Sequence, residues 1–248
     1  MEEKGKKGRM DYTLLLIVVF LVVIGLVILY STSAYNGQVK FHDSFYYLKK
    51  QAFATVLGIV LMLFVAGMDY HIWQRLAVFG YLAAVALSVA VMLFGREING
   101  SKRWLALGPF SFQPSEFAKI ALVLYLAAAL ATYESKKSFK EEVKQLFQPA
   151  LVAGFSMGCM VLQRDLGSAL IFFGISITLL YVATSKKKYV FTALGLAAIG
   201  SVAGYTMFGH VRERVMIWRD PWKYALGSSY QIVEGMYSIA AGGLFGVG

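Results

Sequence analysis

Charge is scarce in this sequence and unevenly spread. Only 15% of the 248 residues are Asp, Glu, Lys or Arg, whereas 58% are hydrophobic. There is also a single cysteine, Cys159, so an internal disulfide is excluded. So little charge excludes a soluble domain with an ordinary charged surface. Cys159 lies inside an apolar stretch and is interpreted as a packing residue.

Six stretches of the sequence contain no charged residue and are long enough to cross a bilayer. A hydrocarbon core of about 30 Å needs roughly 20 residues of helix, because each residue adds about 1.5 Å. A seventh stretch carries one charge, Lys119, near its start. The sequence predicts an all-α, polytopic transmembrane helix bundle, with residues 1–248 forming a single integral membrane domain. The spans are expected near residues 13–30, 52–68, 76–94, 117–132, 146–162, 166–184 and 189–209.

The distribution of basic residues predicts the orientation. Their number is the same on both sides of the predicted bundle, but on one side they are clustered, in the tail 1–11, between residues 136 and 144, and at Lys186–Lys188. Clusters of Lys and Arg favour the cytoplasmic side, so a cytoplasmic N-terminus is expected. The outer loops would then be residues 31–51, 95–113 and 210–248. The first is aromatic and amphipathic, as expected of a segment at the membrane interface.

The net charge of +10 favours an anionic partner. Lipid headgroups and a phosphate-bearing substrate both fit, and composition does not separate them. Nucleic acid fits poorly, because the basic residues are scattered between spans and form no continuous stripe.

The densest group of polar and charged residues is NGSKRWLALGPFSFQPSEFAK, residues 99–119. Gly100 and Gly108 permit tight turns, and Pro114 suits the first turn of a helix, where its missing N–H costs nothing. The helix dipole favours Glu116 in that turn, with Lys119 on the same face. Two interpretations stay open: an ion pair that starts the helix, or one wall of a polar cavity. Such a cavity would be lined by Arg103, Gln113, Glu116 and Lys119.

A second group, QRDLGS at residues 163–168, joins two apolar stretches with almost no loop. Charges at that depth are costly unless they are paired. Arg164 and Asp165 could compensate each other, or Asp165 could reach the polar cavity. We expect spans three to six to converge on one cavity, with Glu116 and Lys119 pointing into protein. Its members would be Arg103, Gln113, Glu116, Lys119 and Asp165.

Three motifs together resemble the signature of the RodA/FtsW/SpoVE (SEDS) family of bacterial cell-wall polymerases. Residues 99–119 are similar to its G-x-x-R-W and F-x-x-Q-P-S-E-x-x-K stretches, and QRDLGSA is similar to its Q-P-D-L-G-T/S. WRDPW followed by SSYQIVEGMYSIAAGGLFGVG is similar to its outer-loop pattern. The motifs occur in order over nearly the whole chain. One departure is Arg164, which stands where the family usually has proline.

The resemblance implies about ten spans, of which about seven are present, so the sequence is expected to be C-terminally truncated and the loop 210–248 incomplete. The family's catalytic Asp belongs to an H-T-D stretch expected beyond Gly248, which leaves the catalytic residue unknown. Asp165 and Asp220 are therefore not assigned as the base, and Asp220 is interpreted as structural. The substrate-binding residues implied are Arg103, Trp104, Gln113, Ser115, Glu116, Lys119, Gln163 and Asp165.

The implied activity is inverting glycosyl transfer from lipid II, with release of undecaprenyl pyrophosphate, in elongation, division or sporulation at the bacterial cell membrane. Arg103 and Lys119 would stabilise the pyrophosphate, Arg103 through its planar fork and Lys119 as a point charge. The implied partners are lipid II, membrane lipids and a class B penicillin-binding protein, a transpeptidase. No metal or other cofactor is expected, although a divalent cation could assist. The alternatives are a lipid II flippase and a structural scaffold.

Overall fold

The computed structural model describes residues 10–98, 101–107, 110–135, 138–243 and 246. Outside these lie Gly100, Gly108, Lys136, Lys137, most of the tail 1–11 and most of the terminal GGLFGVG. The helices are α1 (Tyr12–Phe41), α2 (Tyr46–Ala66), α3 (Tyr70–Phe94), α4 (Pro114–Leu130), α5 (Phe139–Leu162), α6 (Leu166–Thr184), α7 (Lys187–Met207), α8 (Gly209–Arg219) and α9 (Tyr230–Gly242). The strands are β1 (Arg96–Ile98), β2 (Ser101–Leu107) and β3 (Phe110–Phe112).

Each predicted span coincides with one of the helices α1 to α7. Six of these, all except α4, are long and apolar enough to cross a membrane. Helix α4 has 17 residues, which is about 26 Å of helix. Such a helix falls slightly short of a hydrocarbon core of about 30 Å. The predicted all-α transmembrane bundle is confirmed, and the protein is a multi-pass membrane protein.

The described residues form two units: one extends to Asp69 and includes Gly243 onward, and the other is Tyr70–Gly242. In the first unit, α1 and α2 form a helical hairpin. Most of their large apolar side chains are exposed, as expected for helices that face lipid.

The turn of this hairpin is much shorter than predicted, because α1 continues to Phe41 and α2 begins at Tyr46. Residues 31–51, predicted to be an outer loop, are therefore helical for most of their length, and the loop prediction is wrong there. Aromatic rings close the turn, with the Phe41 and Tyr46 centroids 3.8 Å apart. Asp43 accepts hydrogen bonds from the Phe45 N–H at 2.9 Å and from Lys49 Nζ at 2.7 Å. The Lys49 contact lowers the pKa of Asp43.

In the second unit, α3 packs closely on α4. Ala77 and Ala84 of α3 are buried, as are Ala118 and Ala121 of α4. Small residues at helical spacing allow the two backbones to approach each other, which is how helices associate in a membrane. Larger side chains complete the buried core: Tyr81, Leu122, Tyr125, Leu126, Leu130, Leu146, Met160 and Phe172.

A small antiparallel sheet, in the order β1-β2-β3, connects α3 to α4. The sequence predicted only a compact loop here. The two outer strands have three residues each, which is too short to give a recognisable alternation of apolar and polar residues. Gly95 makes the turn from α3 into β1 possible, because a Cβ at this position would lie 2.2 Å from the Val91 carbonyl oxygen. The sheet holds β2 at the end of the bundle where α3 ends and α4 begins.

Candidate functional site

The central contact of the candidate site joins β2 to the turn between α5 and α6. Arg103 Nη1 lies 3.4 Å from Asp165 Oδ1. The Asp165 side chain is almost fully buried, at 6% exposed, whereas Arg103 keeps 27% of its side chain exposed. A buried carboxylate thus anchors a guanidinium that still reaches the surroundings of the bundle. The sequence predicted that Arg103 and Asp165 line one cavity. In the structure their side chains form an ion pair.

Asp165 also caps helix α6. Its Oδ1 accepts the Ser168 backbone N–H at 3.1 Å, and its Oδ2 accepts the Ser168 hydroxyl at 2.8 Å. A carboxylate at a helix N-terminus is favoured by both the free N–H groups and the helix dipole. These bonds fix the carboxylate, and through it the position of Arg103.

Gln163, on the other side of the same turn, is buried and donates from Nε2 to the Ser88 carbonyl oxygen at 3.4 Å. This contact connects the α5–α6 turn to α3. This contact of Gln163 therefore holds the α5–α6 turn against α3.

Arg164 has a backbone φ of 59°, in the left-handed region. Its N–H donates to the Val161 carbonyl oxygen at 3.0 Å, and the Asp165 N–H donates to Met160 at 2.9 Å. Proline, expected at this position from the family pattern, cannot adopt this φ and has no N–H to donate. The replacement of proline by Arg164 thus accompanies a different backbone conformation in the turn.

Helix α4 begins where the sequence predicted, at Pro114. Ser115 is buried, and its Oγ has no hydrogen-bond partner within the described part of the chain. Glu116 and Lys119 form an ion pair, one of the two interpretations left open by the sequence, with 2.8 Å between Oε2 and Nζ. Lys119 is mostly buried, with 22% of its side chain exposed, but Glu116 is 59% exposed. The expectation that Glu116 points into protein is therefore wrong.

Two other predicted residues, Gln113 and Trp104, are partly buried. Gln113 precedes α4 as its N-terminal capping residue but makes no side-chain capping bond. Trp104 follows Arg103 in β2, partly buried, with its backbone opposite Arg96. Asp220 accepts the Lys223 N–H at 3.3 Å at the end of α8, which agrees with a structural role.

A cavity of about 430 Å³ lies between the α5–α6 turn and the junction of α7 with α8. Arg164, His210 and Glu213 supply its polar lining, and none of the five residues predicted to share a cavity lines it. His210 Nε2 is buried without a described partner. Within the described ranges no group of three or more His, Cys, Asp or Glu residues could hold a metal ion.

At the opposite end of the bundle, the sequence missed a buried carboxylate. Glu142, in the first turn of α5, is only 2% exposed. Its carboxylate accepts hydrogen bonds from Lys186, Tyr189 and Ser135, and from Lys188 at 3.2 Å. The hydrogen bond to Glu142 raises the pKa of Lys186. The sequence offers one sign of this cluster. The pair Glu141 and Glu142 is followed, one helical hairpin later, by the three consecutive lysines Lys186–Lys188.

The fold and the site define a class: a multi-pass membrane protein with an arginine held by a buried carboxylate at one end of its helices. The chain belongs to the FtsW/RodA/SpoVE family, whose model, described as "Cell cycle protein", matches residues 12–248. Stage V sporulation protein E of Bacillus subtilis is 34% identical over 247 residues, 98% of this chain and 66% of that protein. A probable peptidoglycan glycosyltransferase FtsW of Geobacter sp. strain M18 is 32% identical over 242 residues, 96% of this chain and 65% of that protein.

Solved structures of similar fold support the same family assignment. A chain from a peptidoglycan synthase complex, described as coordinating polymerization and crosslinking, matches with a TM-score of 0.73 and 32% identity, over 94% of this chain and 66% of that one. The rod shape determining protein RodA of Thermus thermophilus matches with a TM-score of 0.60 and 30% identity, over 76% of this chain and 58% of that one. The chain spans a little under two thirds of the length of these curated relatives.

Proposed function

We propose that the protein is a peptidoglycan glycosyltransferase that polymerises lipid II into glycan strands and releases undecaprenyl pyrophosphate. Family membership and the names of the relatives support this activity. The observation that carries it within this chain is the Arg103–Asp165 pair, in which a nearly buried carboxylate anchors a partly exposed guanidinium.

The chemistry explains why a fixed guanidinium matters. The 4-hydroxyl of the acceptor sugar attacks the anomeric carbon of the donor and loses its proton to a carboxylate. The bond from the anomeric carbon to the lipid pyrophosphate breaks, with inversion, and negative charge grows on the leaving group. A donor that is already fixed stabilises that charge without having to reorganise during the reaction. Arg103 has the planar fork that suits phosphate oxygens.

Two other residues of the chain fit substrate binding. The Ser115 hydroxyl is buried without a described partner, and a buried polar group of this kind is satisfied by a ligand or a water molecule. Lys119 is mostly buried and paired with Glu116. It lies on α4 and is the second positive charge proposed for substrate binding, after Arg103 on β2. The proposed roles in this chain are binding and positioning, since the 248 residues contain no H-T-D sequence that would supply the family's base.

The proposal includes an orientation and a partner. With a cytoplasmic N-terminus, the sheet and the α5–α6 turn lie on the outer side, where glycan is assembled. Clustered lysines at the other end, including Lys186–Lys188, support this orientation. We further propose a class B penicillin-binding protein as partner, supported by the matched structure of a complex that coordinates polymerization and crosslinking.

The activity is tested with purified full-length protein and labelled lipid II in vesicles. We expect a ladder of glycan polymer, with no need for a second polymerase. Lipid II that crosses the bilayer without polymer would favour the flippase alternative, and neither product would favour a scaffold.

A further inference from the structure

The outward face of α5 combines two lysines with a row of exposed apolar side chains. Lys140 and Lys144 are exposed near the start of the helix and lie one helical turn apart. Phe147, Leu151 and Phe155 follow, with exposed fractions of 64%, 55% and 49%. Because successive residues of a helix are rotated by about 100°, these five side chains fall within an arc of about 80°. We refer to these five residues as the α5 stripe.

The opposite face of α5 packs against protein. Its buried residues recur at helical spacing on the side away from the α5 stripe: Glu142, Leu146, Pro149, Ala153, Ser156 and Met160. A membrane helix with one face buried in the bundle and an apolar, exposed face on the other side turns that exposed face to lipid. The α5 stripe is therefore a surface that meets lipid molecules.

The two lysines lie at the depth of the lipid headgroups. Helix α5 ends at Leu162, 18 residues after Lys144, which is about 27 Å of helix. This length nearly spans a hydrocarbon core of about 30 Å, so Lys144 lies at the boundary of that core. Lys140 lies about 6 Å further out, and Phe147 and Leu151 lie on the acyl-chain side. The order of charge and apolar surface along the stripe matches that of a phospholipid.

Charge at this end of the bundle favours an anionic headgroup. Lys140 and Lys144 form no ion pair with any residue that the structure describes. Glu141 lies on the flank of the stripe and offsets one positive charge at most. In the sequence, segments 134–144 and 186–188 together contain seven lysines and three glutamates, a net charge of +4. A basic residue near a membrane surface favours acidic lipid by about fivefold.

We propose that the α5 stripe binds an anionic glycerophospholipid of the phosphatidylglycerol type. The phosphate lies between Lys140 and Lys144, and an acyl chain lies along Phe147, Leu151 and Phe155. An acidic protein partner fits less well, because the apolar part of the stripe continues into the hydrocarbon layer directly below the lysines. The site is at the end of α5 opposite its turn to α6, and it is independent of the proposed polymerase activity.

The test places a photoreactive amino acid at Leu151 of the full-length protein, in vesicles of equimolar phosphatidylcholine and phosphatidylglycerol. After irradiation, mass spectrometry of the adducts should show phosphatidylglycerol in excess by roughly fivefold or more. The matched position is Leu196, which is 65% exposed in the middle of α7, as Leu151 is in the middle of α5. The two lipids should label that position about equally.

Lysine variants complete the test. Lys144→Gln should lower the excess of phosphatidylglycerol at Leu151 roughly two- to fivefold, and the double variant Lys140→Gln/Lys144→Gln should nearly abolish it. Both lysines are exposed, so insertion and folding should not change. Lys187→Gln is the matched control, because Lys187 is an exposed lysine at the start of α7, at the same end of the bundle, and it should leave the excess nearly unchanged.

Three results overturn the proposal. Equal labelling of Leu151 by the two lipids in the wild-type background would show that the stripe does not select an anionic headgroup. An equal loss in Lys144→Gln and Lys187→Gln would show that only the general surface charge attracts the lipid. A protein adduct in place of a lipid adduct at Leu151 in native membranes would show that the stripe is a protein interface.

Discussion

Replacing Arg103 by lysine should slow polymerisation of lipid II by the full-length protein roughly ten- to a hundredfold. Lysine keeps the positive charge but loses the planar fork, and its ammonium cannot reproduce two parallel hydrogen bonds to phosphate oxygens. Inserted protein should remain abundant, because β2 is held to its neighbours mainly by backbone pairing.

Arg75→Lys is the matched control, since Arg75 is an exposed arginine in the first turns of α3, at the other end of the bundle. Rates are compared at equal membrane abundance. If Arg103 only anchors a headgroup, both lysine variants should polymerise at nearly the wild-type rate, and that result would remove Arg103 from the proposed pyrophosphate site.

Replacing Glu142 by alanine should lower the thermal unfolding midpoint by on the order of 5 °C. The substitution removes the shared acceptor of Lys186, Lys188 and Tyr189, and leaves Lys186 partly buried beside Ser135 without its carboxylate. Breaking a buried ion pair from one side is strongly destabilising for this reason.

Glu141→Ala is the control, because Glu141 lies in the same first turn of α5 with the same charge but is exposed. It should change the midpoint little, so equal shifts for both variants would show that only the helix dipole is involved. Pairing raises the pKa of Lys186, so its contribution to stability is complete below the ordinary lysine pKa and declines only as the pH rises through the raised value. The Glu142→Ala shift should therefore be constant between pH 6 and 8, roughly the range in which neither partner titrates.

The positions of α1 to α7 could be predicted because a membrane helix needs a long stretch without charge, and that requirement is local in sequence. The start of α4 could also be predicted from neighbouring residues, since Pro114 and Glu116 suit a first helical turn. The length of α1 was underestimated because polar residues after Tyr30 were taken as a loop, whereas a helix can continue through them once it leaves the apolar layer.

The contacts that build the site could not be predicted in the same way. Asp165 contacts Arg103 only because the sheet returns β2 to the α5–α6 turn, and a sheet in which two of the three strands have only three residues leaves little trace in sequence. The sequence paired Asp165 with its neighbour Arg164 as one option, but it could not give the left-handed backbone of Arg164. Glu142 was missed because its partners come from a different hairpin and resemble an ordinary lysine cluster at a membrane surface.

The central claim, that Arg103 binds the pyrophosphate of the lipid substrate, is tested most directly by affinity for the leaving group itself. Binding of undecaprenyl pyrophosphate and of uncharged undecaprenol is measured on purified full-length wild type and Arg103→Ala. The wild type should bind the pyrophosphate roughly tenfold or more tightly than the variant does, with undecaprenol unaffected. Equal pyrophosphate affinity in the two proteins would contradict the claim.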